Sequence, residues 1–113
     1  MYAMLLLCVL ASQRLRGSSY WALGRHSKAL SKWAEAVELG TKLGTRFEVA
    51  LAHYELGRHV DYRSSDARRS THLAAASAHF GDIGATRLHR LALEELELNH
   101  VMRDTDNPMA LSR

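Results

Sequence analysis

The sequence predicts an all-α protein built from about five helices in antiparallel hairpins, because of its composition and its hydrophobic spacing. Its 113 residues include a single proline, and a high content of alanine and leucine favours helices. No run of alternating β-branched or aromatic residues predicts a strand. A chain of this length can bury one core without disulfide or metal support, so one domain is expected.

Apolar residues recur at intervals of three and four along five stretches, which predicts five helices. The predicted helices cover residues 3–21, 26–42, 45–60, 66–80 and 85–103. The second and fourth have one apolar face each: Ala29, Leu30, Trp33, Ala36, Val37, Gly40 and Leu43 in one, and Leu73, Ala76, Phe80 and Ile83 in the other. The third is apolar on two sides, which predicts that it packs between neighbours.

Glycine and serine residues mark the predicted helix ends. Gly44 is expected as the C-cap of the second helix. Ser64 or Ser65 is expected as the N-cap of the fourth, which Gly81 and Gly84 would end. After the fifth helix, residues 104–113 have turn residues and no periodicity, which predicts a flexible tail.

The opening segment, MYAMLLLCVLAS, resembles the apolar part of a signal peptide. It lacks a basic n-region and a convincing cleavage site, and it is shorter than the ~20 apolar residues of a membrane span. We therefore expect a buried helix and no membrane segment. Cys8 is the one cysteine, so neither a disulfide framework nor a zinc quartet can be drawn from this chain, which favours a reducing compartment, the cytoplasm.

Similar residues recur 40 positions apart along the chain, which predicts two helical hairpins and a half. An offset of 40 superposes Val9 on Val49, Gly17 on Gly57, Ala34 on Ala74, Ala36 on Ala76, Gly44 on Gly84, Trp33 on Leu73 and Leu43 on Ile83. The matched glycines fall at helix ends and the matched apolar residues on helix faces, where an αα-hairpin requires them. The predicted units are residues 4–44, 45–84 and 85–103 of one segment, 1–103.

These residues resemble a tetratricopeptide repeat (TPR). The residues that match its pattern are Gly17 and Gly57 in the first helix, Tyr20 after it, Ala29 early in the second helix, and Ala36 and Ala76 later in it. Three features depart from the pattern: Arg69 stands at the position that Ala29 occupies, the closing proline is missing, and the period is 40 instead of about 34. The resemblance therefore implies a degenerate, TPR-like α-solenoid fragment.

A second resemblance covers residues 25–85, through KALSKWAEAVELGTKLGTRFEVALAHYELGRH and RRSTHLAAASAHFGDIGA. These segments look like the C-terminal helical repeats of class III adenylate/guanylate cyclases that carry an AAA-type (STAND-like) ATPase module, and of related kinase and LuxR-type regulators. The chain itself has no P-loop and no pair of metal-binding aspartates in a strand context. The resemblance implies a non-catalytic regulatory segment that contacts a partner protein or its parent's own ATPase and cyclase domains.

The segment HYELGRH, residues 53–59, has the highest density of chemically active side chains. A zinc protease places two histidines four residues apart on one helix face, whereas His53 and His59 are six apart and point roughly 120° away from each other. Glu55 is expected to face Arg58 and His59 and to support the helix. A structural role is therefore favoured over a catalytic site, with a partner-binding surface as the alternative.

No catalytic, cofactor-binding or metal-binding residue is predicted elsewhere. His72 and His79 are two helical turns apart, roughly 10 Å along the axis, which is too far for one metal. A metal-dependent enzyme would require three of the seven histidines to converge: His26, His53, His59, His72, His79, His89 and His100. Trp33 and Tyr54 are expected in the core, and the thiol of Cys8 is expected to be inert packing.

Charge leaves nucleic-acid binding as a weaker alternative. The formal net charge is +3, and the arginines of QRLR, ARR and TRLHR are spread over three helices among glutamates. No nucleic-acid recognition motif accompanies them. A protein-interaction and regulatory role is therefore predicted, with a free-standing helical adaptor or a weakly basic nucleic-acid-associated regulator as alternatives.

Overall fold

The computed structural model describes residues 2–59 and 62–105, and within them the chain is helical without strands. The helices are α1 (Tyr2–Ala22), α2 (His26–Leu43), α3 (Arg46–His59), α4 (Tyr62–Asp82) and α5 (Thr86–Thr105). Each helix packs against the next one in the chain, and only two or three residues separate successive helices. The predicted all-α fold of antiparallel hairpins is therefore confirmed. Side chains are described for these residues except 2, 3, 6, 7, 62–67 and 99–105.

The predicted helix bounds agree with the structure to within two residues, except at the start of α4. Ser64 and Ser65 do not form an N-cap, because α4 begins at Tyr62 and both serines lie inside it. Two residues are enough to separate α3 from α4, so the helix starts before the serines are reached. Gly81 is also helical and does not end α4. Val60 and the predicted tail beyond Thr105 lie outside the described residues.

Three turns share one hydrogen-bond pattern around a glycine in the left-handed region. Gly24, Gly44 and Gly84 have φ values of 81°, 73° and 76°. In each turn the glycine N–H donates to the carbonyl three residues earlier, and the following N–H donates to the carbonyl five residues earlier. This is the Schellman arrangement, which satisfies the last carbonyls of a helix and favours glycine at the left-handed position. The prediction of Gly44 as a C-cap is confirmed.

The buried faces of α2 and α4 follow the predicted pattern except at their last positions. Ala29, Trp33 and Ala36 are buried in α2, and Leu73, Ala76 and Phe80 are buried in α4. Leu43 and Ile83 are exposed by 37% and 39%, so the prediction that they complete these faces is wrong. Each lies directly before the turn glycine, where the helix ends and the side chain is covered only in part.

A close approach between helices occurs where Gly17 of α1 meets Trp33 of α2. The Trp33 side chain is fully buried, and a Cβ atom on Gly17 would lie 2.7 Å from its Cδ1 atom. The Trp33 indole N–H donates to the Arg14 carbonyl at 3.1 Å. The same kind of contact recurs between α3 and α4, where a Cβ on Gly57 would lie 2.7 Å from Cδ2 of Leu73. The two contacts are related by the internal offset that superposes Gly17 on Gly57 and Trp33 on Leu73.

One side of α1 is not covered by the other helices. Leu10 is fully buried, whereas Met4, Leu5 and Val9 are exposed by 73%, 59% and 48%, and Cys8 is exposed as well. α1 packs against α2 and α3, but these side chains stay exposed, so the predictions of a buried opening helix and of an inert, packed thiol are wrong. Among the described residues, none of the helices combines the length and apolar content that crossing a bilayer requires.

Replacing either contact glycine by alanine is expected to destabilise the fold. Alanine favours a helix interior by about 1 kcal/mol over glycine, but overpacking costs about 1–3 kcal/mol. Because the new Cβ would overlap Trp33 or Leu73, we expect Gly17→Ala and Gly57→Ala to lower the free energy of unfolding by up to about 2 kcal/mol in urea titrations, which is the overpacking cost less the gain in helix propensity. Ser18→Ala, on the exposed side of α1, is the control and should change it by less than about 0.5 kcal/mol. Stabilisation by either glycine substitution would contradict the packing.

Candidate functional site

Three histidines from two helices meet between α3 and α4. His53 lies in the middle of α3, and His72 and His79 lie two turns apart on α4. The Nδ1 atoms of His53 and His72 are 2.9 Å apart, within hydrogen-bond distance. The His53 and His79 rings are nearly parallel, with centroids 6.3 Å apart. His53 therefore lies between the other two imidazoles.

The surroundings of this histidine cluster favour neutral rings. Burial, followed by repulsion from His72 and His79, lowers the pKa of His53 from 6.5 to about 4. Burial, followed by repulsion from Arg68, lowers the pKa of His72. An Nδ1–Nδ1 hydrogen bond also needs one ring to donate and the other to accept, which two protonated rings cannot do. At neutral pH the His53–His72 pair is therefore uncharged.

The convergence of these three histidines was not predicted from spacing within single helices. The signal was present in two parts: His53 lies on the second side of the two-sided helix α3, and His72 and His79 share one face of α4. Only the packing of α3 on α4 brings the two parts together. Even so, the described residues contain no group of three or more His, Cys, Asp or Glu side chains that could hold a metal.

A small cavity opens beside this cluster, where α2 ends and α3 begins. Its volume is about 230 Å³, and its walls include His53, His79, Arg46, Thr41 and Thr45. The hydroxyl of Thr41 donates to the Val37 carbonyl at 2.7 Å, and that of Thr45 donates to the Gly40 carbonyl at 3.2 Å. Among the side chains that line the cavity, those left to donate hydrogen bonds are thus the guanidinium of Arg46 and the two imidazoles.

A second group of rings lies at the opposite end of the hairpins, where α1 ends, α2 begins and α3 ends. His26 stacks on Trp21 with ring centroids 3.8 Å apart. His59 lies 4.4 Å from Trp21 and 4.9 Å from Trp33. Its Nδ1–H donates to the Glu55 backbone carbonyl at 2.8 Å. Packed aromatic rings therefore fill the space between α1, α2 and α3 at this end of the hairpins. Trp33 belongs to the core, as predicted.

The segment HYELGRH divides between these two ends of α3. His53 joins the histidine cluster and His59 joins the aromatic rings, so the two do not share a site. Glu55 lies 3.6 Å from Arg58 and 3.5 Å from His59, as predicted from the spacing. Of the remaining histidines, His89 donates to the Ser77 carbonyl at 2.8 Å, and the side chain of His100 is outside the described part of the chain.

Arg69 has a structural role. It lies 40 positions after Ala29, at a position where the repeat pattern has a small residue. Its side chain is only 9% exposed. Its Nη1 atom donates to the Arg58 carbonyl at 2.8 Å, in the last turn of α3, and its Nη2 atom lies 3.5 Å from Glu95 of α5. Cations are favoured near the carbonyls that end a helix. Arg69 therefore ties the end of α3 to α4 and α5.

Searches against known protein families, curated proteins and solved structures find no match to this chain. The structure itself defines its class, an all-α protein of antiparallel hairpins. Polar and aromatic side chains gather between the helices at three places: the histidine cluster, the aromatic rings around Trp33, and the contacts of Arg69.

Acidification is expected to destabilise the fold through His53 and His72. Because the pKa of His53 is lowered to about 4 in the folded chain and is about 6.5 unfolded, the unfolded chain binds more protons between these values. Stability is therefore full above about pH 6.5 and falls as the pH drops. Allowing for solvent screening of the half-buried ring, we expect His53 to contribute about 1–2 kcal/mol to this fall.

Urea titrations of the natural protein and of His53→Gln at about pH 7 and about pH 5 measure this contribution. His53→Gln should reduce the loss of stability between the two pH values. His26→Gln removes an exposed histidine at the other end of the array and should leave the loss unchanged. An equal loss in the natural protein and in His53→Gln would contradict the role of the cluster.

Proposed function

We propose that the chain is a non-catalytic, TPR-like segment that acts by binding proteins and regulating them. The observation that supports this most is the recurrence of one contact in successive hairpins, Gly17 on Trp33 and Gly57 on Leu73. The turns at Gly44 and Gly84 recur at the same interval along the chain. Stacked copies of one helical hairpin form an extended surface, and proteins built this way use that surface to bind partners.

The exposed side of α1 offers an apolar contact area for such a partner. Met4, Leu5 and Val9 project from it together with Cys8, and Leu5, Cys8 and Val9 line one shallow depression. Contiguous exposed apolar side chains mark protein-interaction sites more often than isolated ones do. Polar residues, Ser12 and Arg16, continue the same depression and would form the rim of the contact.

The resemblance of residues 25–85 to cyclase-associated helical repeats supports a specific partner. We propose that the segment contacts the AAA-type ATPase and cyclase domains of a nucleotide cyclase or a related signalling ATPase, in the cytoplasm. Binding would favour one conformation of the enzyme over another and so change the fraction that is active. The segment needs no catalytic residue of its own for this role.

The test is to add the purified chain to a purified AAA-type ATPase–cyclase polypeptide from the same cell and to measure binding and cyclase rate. The natural chain should bind saturably and change the rate. The double substitution Leu5→Glu and Val9→Glu should weaken binding at least about tenfold, because it places two charges in the apolar contact. Leu23→Glu is the matched control, since Leu23 is 73% exposed in the turn after α1.

Saturable binding that the α1 substitutions weaken, together with a changed rate, would support the proposal. Absence of both binding and a rate change, with the chain folded by circular dichroism, would contradict the link to cyclases. Binding of a different protein through the same side of α1 would favour the free-standing adaptor. Salt-dependent binding of DNA or RNA would instead favour the nucleic-acid-associated alternative.

A further inference from the structure

We propose that the cavity between the end of α2, the start of α3 and α4 binds a small oxyanion, such as sulfate or a phosphoryl group. Arg46, His53 and His79 would donate hydrogen bonds to it. This proposal is independent of the regulatory role proposed above, because it rests on the cavity and not on the outer side of α1. The evidence is the size of the cavity, the charge of its walls and the free ring nitrogens of its histidines.

The size of the cavity fits a small ligand. Its volume is about 230 Å³, below the ~300–1,000 Å³ of pockets for drug-sized molecules. At about 30 Å³ for each water molecule, it has room for several waters or for one tetrahedral ion with part of its hydration shell. Its walls come from three helices, so a bound ion would be contacted from more than one side.

The charge of the walls favours an anion. Arg46 lines the cavity, and its guanidinium has no carboxylate within 4 Å among the residues described here. None of the residues that line the cavity is acidic. Arginine binds oxyanions well because its planar, permanently charged group donates two parallel hydrogen bonds. An oxyanion would therefore supply the partner that Arg46 lacks.

The two imidazoles have nitrogens available for such an ion. His53 uses Nδ1 toward His72, which leaves its Nε2 atom. The His79 ring lies nearly parallel to the His53 ring, with centroids 6.3 Å apart. Neutral histidine can donate from one nitrogen, and protonated histidine can donate from both. At neutral pH His53 can donate from Nε2 in the tautomer whose Nδ1 accepts from the Nδ1–H of His72, and His79 can donate from whichever ring nitrogen carries its proton. Each ring donates more strongly when protonated.

Anion binding at this place should take up protons. The titratable groups that act on His53 are His72 and His79 of α4, Arg68 acts in turn on His72, and Arg46 of α3 shares the cavity wall; none of these groups is acidic. α2 contributes no charged residue to the cavity wall. A protonated imidazole is disfavoured among these groups, and a bound anion would offset that repulsion. Affinity should therefore rise as the pH falls.

The corresponding turn of the next hairpin, at Gly84, has the same backbone hydrogen bonds but lacks the histidines that line the cavity. Gly84 repeats the hydrogen-bond pattern of Gly44, but Ala85 and Thr86 replace Thr45 and Arg46 there. The depression beside that turn is lined mainly by apolar groups with Arg87 and contains no histidine. Of these two turns, both within the described residues, the one at Gly44 combines a cationic side chain with two imidazoles and the one at Gly84 does not.

The test is a titration of the full chain with sodium sulfate, followed by the NMR signals of the histidine rings and arginine side chains. Sulfate is chosen because it keeps the same charge from about pH 5.5 to about pH 7.5, so a change in affinity reports on the protein. We expect saturable shifts at His53, His79 and Arg46, and an affinity that rises by up to about tenfold per pH unit for each proton taken up. Sodium chloride at equal ionic strength is the reference, since it screens charge without offering a tetrahedral ligand.

Variants separate a site from general charge effects. Arg46→Gln and His79→Gln should each weaken sulfate binding about tenfold or more, and neither side chain is buried, so the fold should persist. Arg87→Gln and His26→Gln are matched controls at exposed positions outside the cavity and should bind as the natural chain does. Shifts that do not saturate, or equal weakening by the control variants, would overturn the proposal.

A second titration with phenyl phosphate distinguishes the source of the anion. Binding at the same residues, at least as tight as that of sulfate, would assign the cavity to a phosphomonoester carried by a larger molecule. Binding of sulfate and inorganic phosphate with exclusion of phenyl phosphate would assign it to the free ion. Failure of all three ions to bind would overturn the oxyanion site and would leave the partner-binding role of α1 untouched.

Discussion

The close approach of paired helices at two glycines is the constraint on which the rest of this fold depends. At Gly17 the absence of a Cβ lets the Trp33 ring lie against the α1 backbone and donate to the Arg14 carbonyl. At Gly57 the same absence admits Leu73 against α3. Interiors are packed tightly enough that one added methyl group is felt. The glycines therefore set how closely each hairpin closes.

The polar clusters follow from this closure. Because α4 lies close against α3 near Gly57, His72 reaches His53 across the interface one turn away, and His79 follows two turns later along α4. At the other end, Trp33 fixed on Gly17 provides the surface on which His59 packs. Arg69 contributes a further tie, from α4 to the last carbonyls of α3. The helix packing thus places titratable groups that no single helix would bring together.

The sequence predicted the features that depend on local spacing. The five helices, the Gly44 cap, the buried Trp33 and the contacts of Glu55 with Arg58 and His59 are all set within one or two helical turns. The remaining features depend on how neighbouring helices are rotated and on which faces they cover. Spacing alone could not show that His53 meets His72, or that the side of α1 with Leu5 and Cys8 stays uncovered.

Ser64, Ser65 and Arg69 illustrate two ways in which local rules are overridden. The serines favour a helix start, but α4 begins earlier, because only two residues separate it from α3. A buried arginine is expected to be costly unless its charge is paired. Arg69 is accommodated because a helix-terminal carbonyl and Glu95 lie within its reach. For Arg69 the deciding partners belong to other helices, α3 and α5.

Hydrogen exchange at the Trp33 indole N–H tests the central packing claim most directly. The chain has two tryptophans, so Trp21→Phe assigns their two indole signals. If Trp33 is held in the Gly17 contact, its fully buried, hydrogen-bonded N–H should exchange only through global unfolding. Its protection should then equal the free energy of unfolding measured in urea, while Trp21, which is half-buried, exchanges faster. Exchange at Trp33 as fast as at Trp21 would contradict the account.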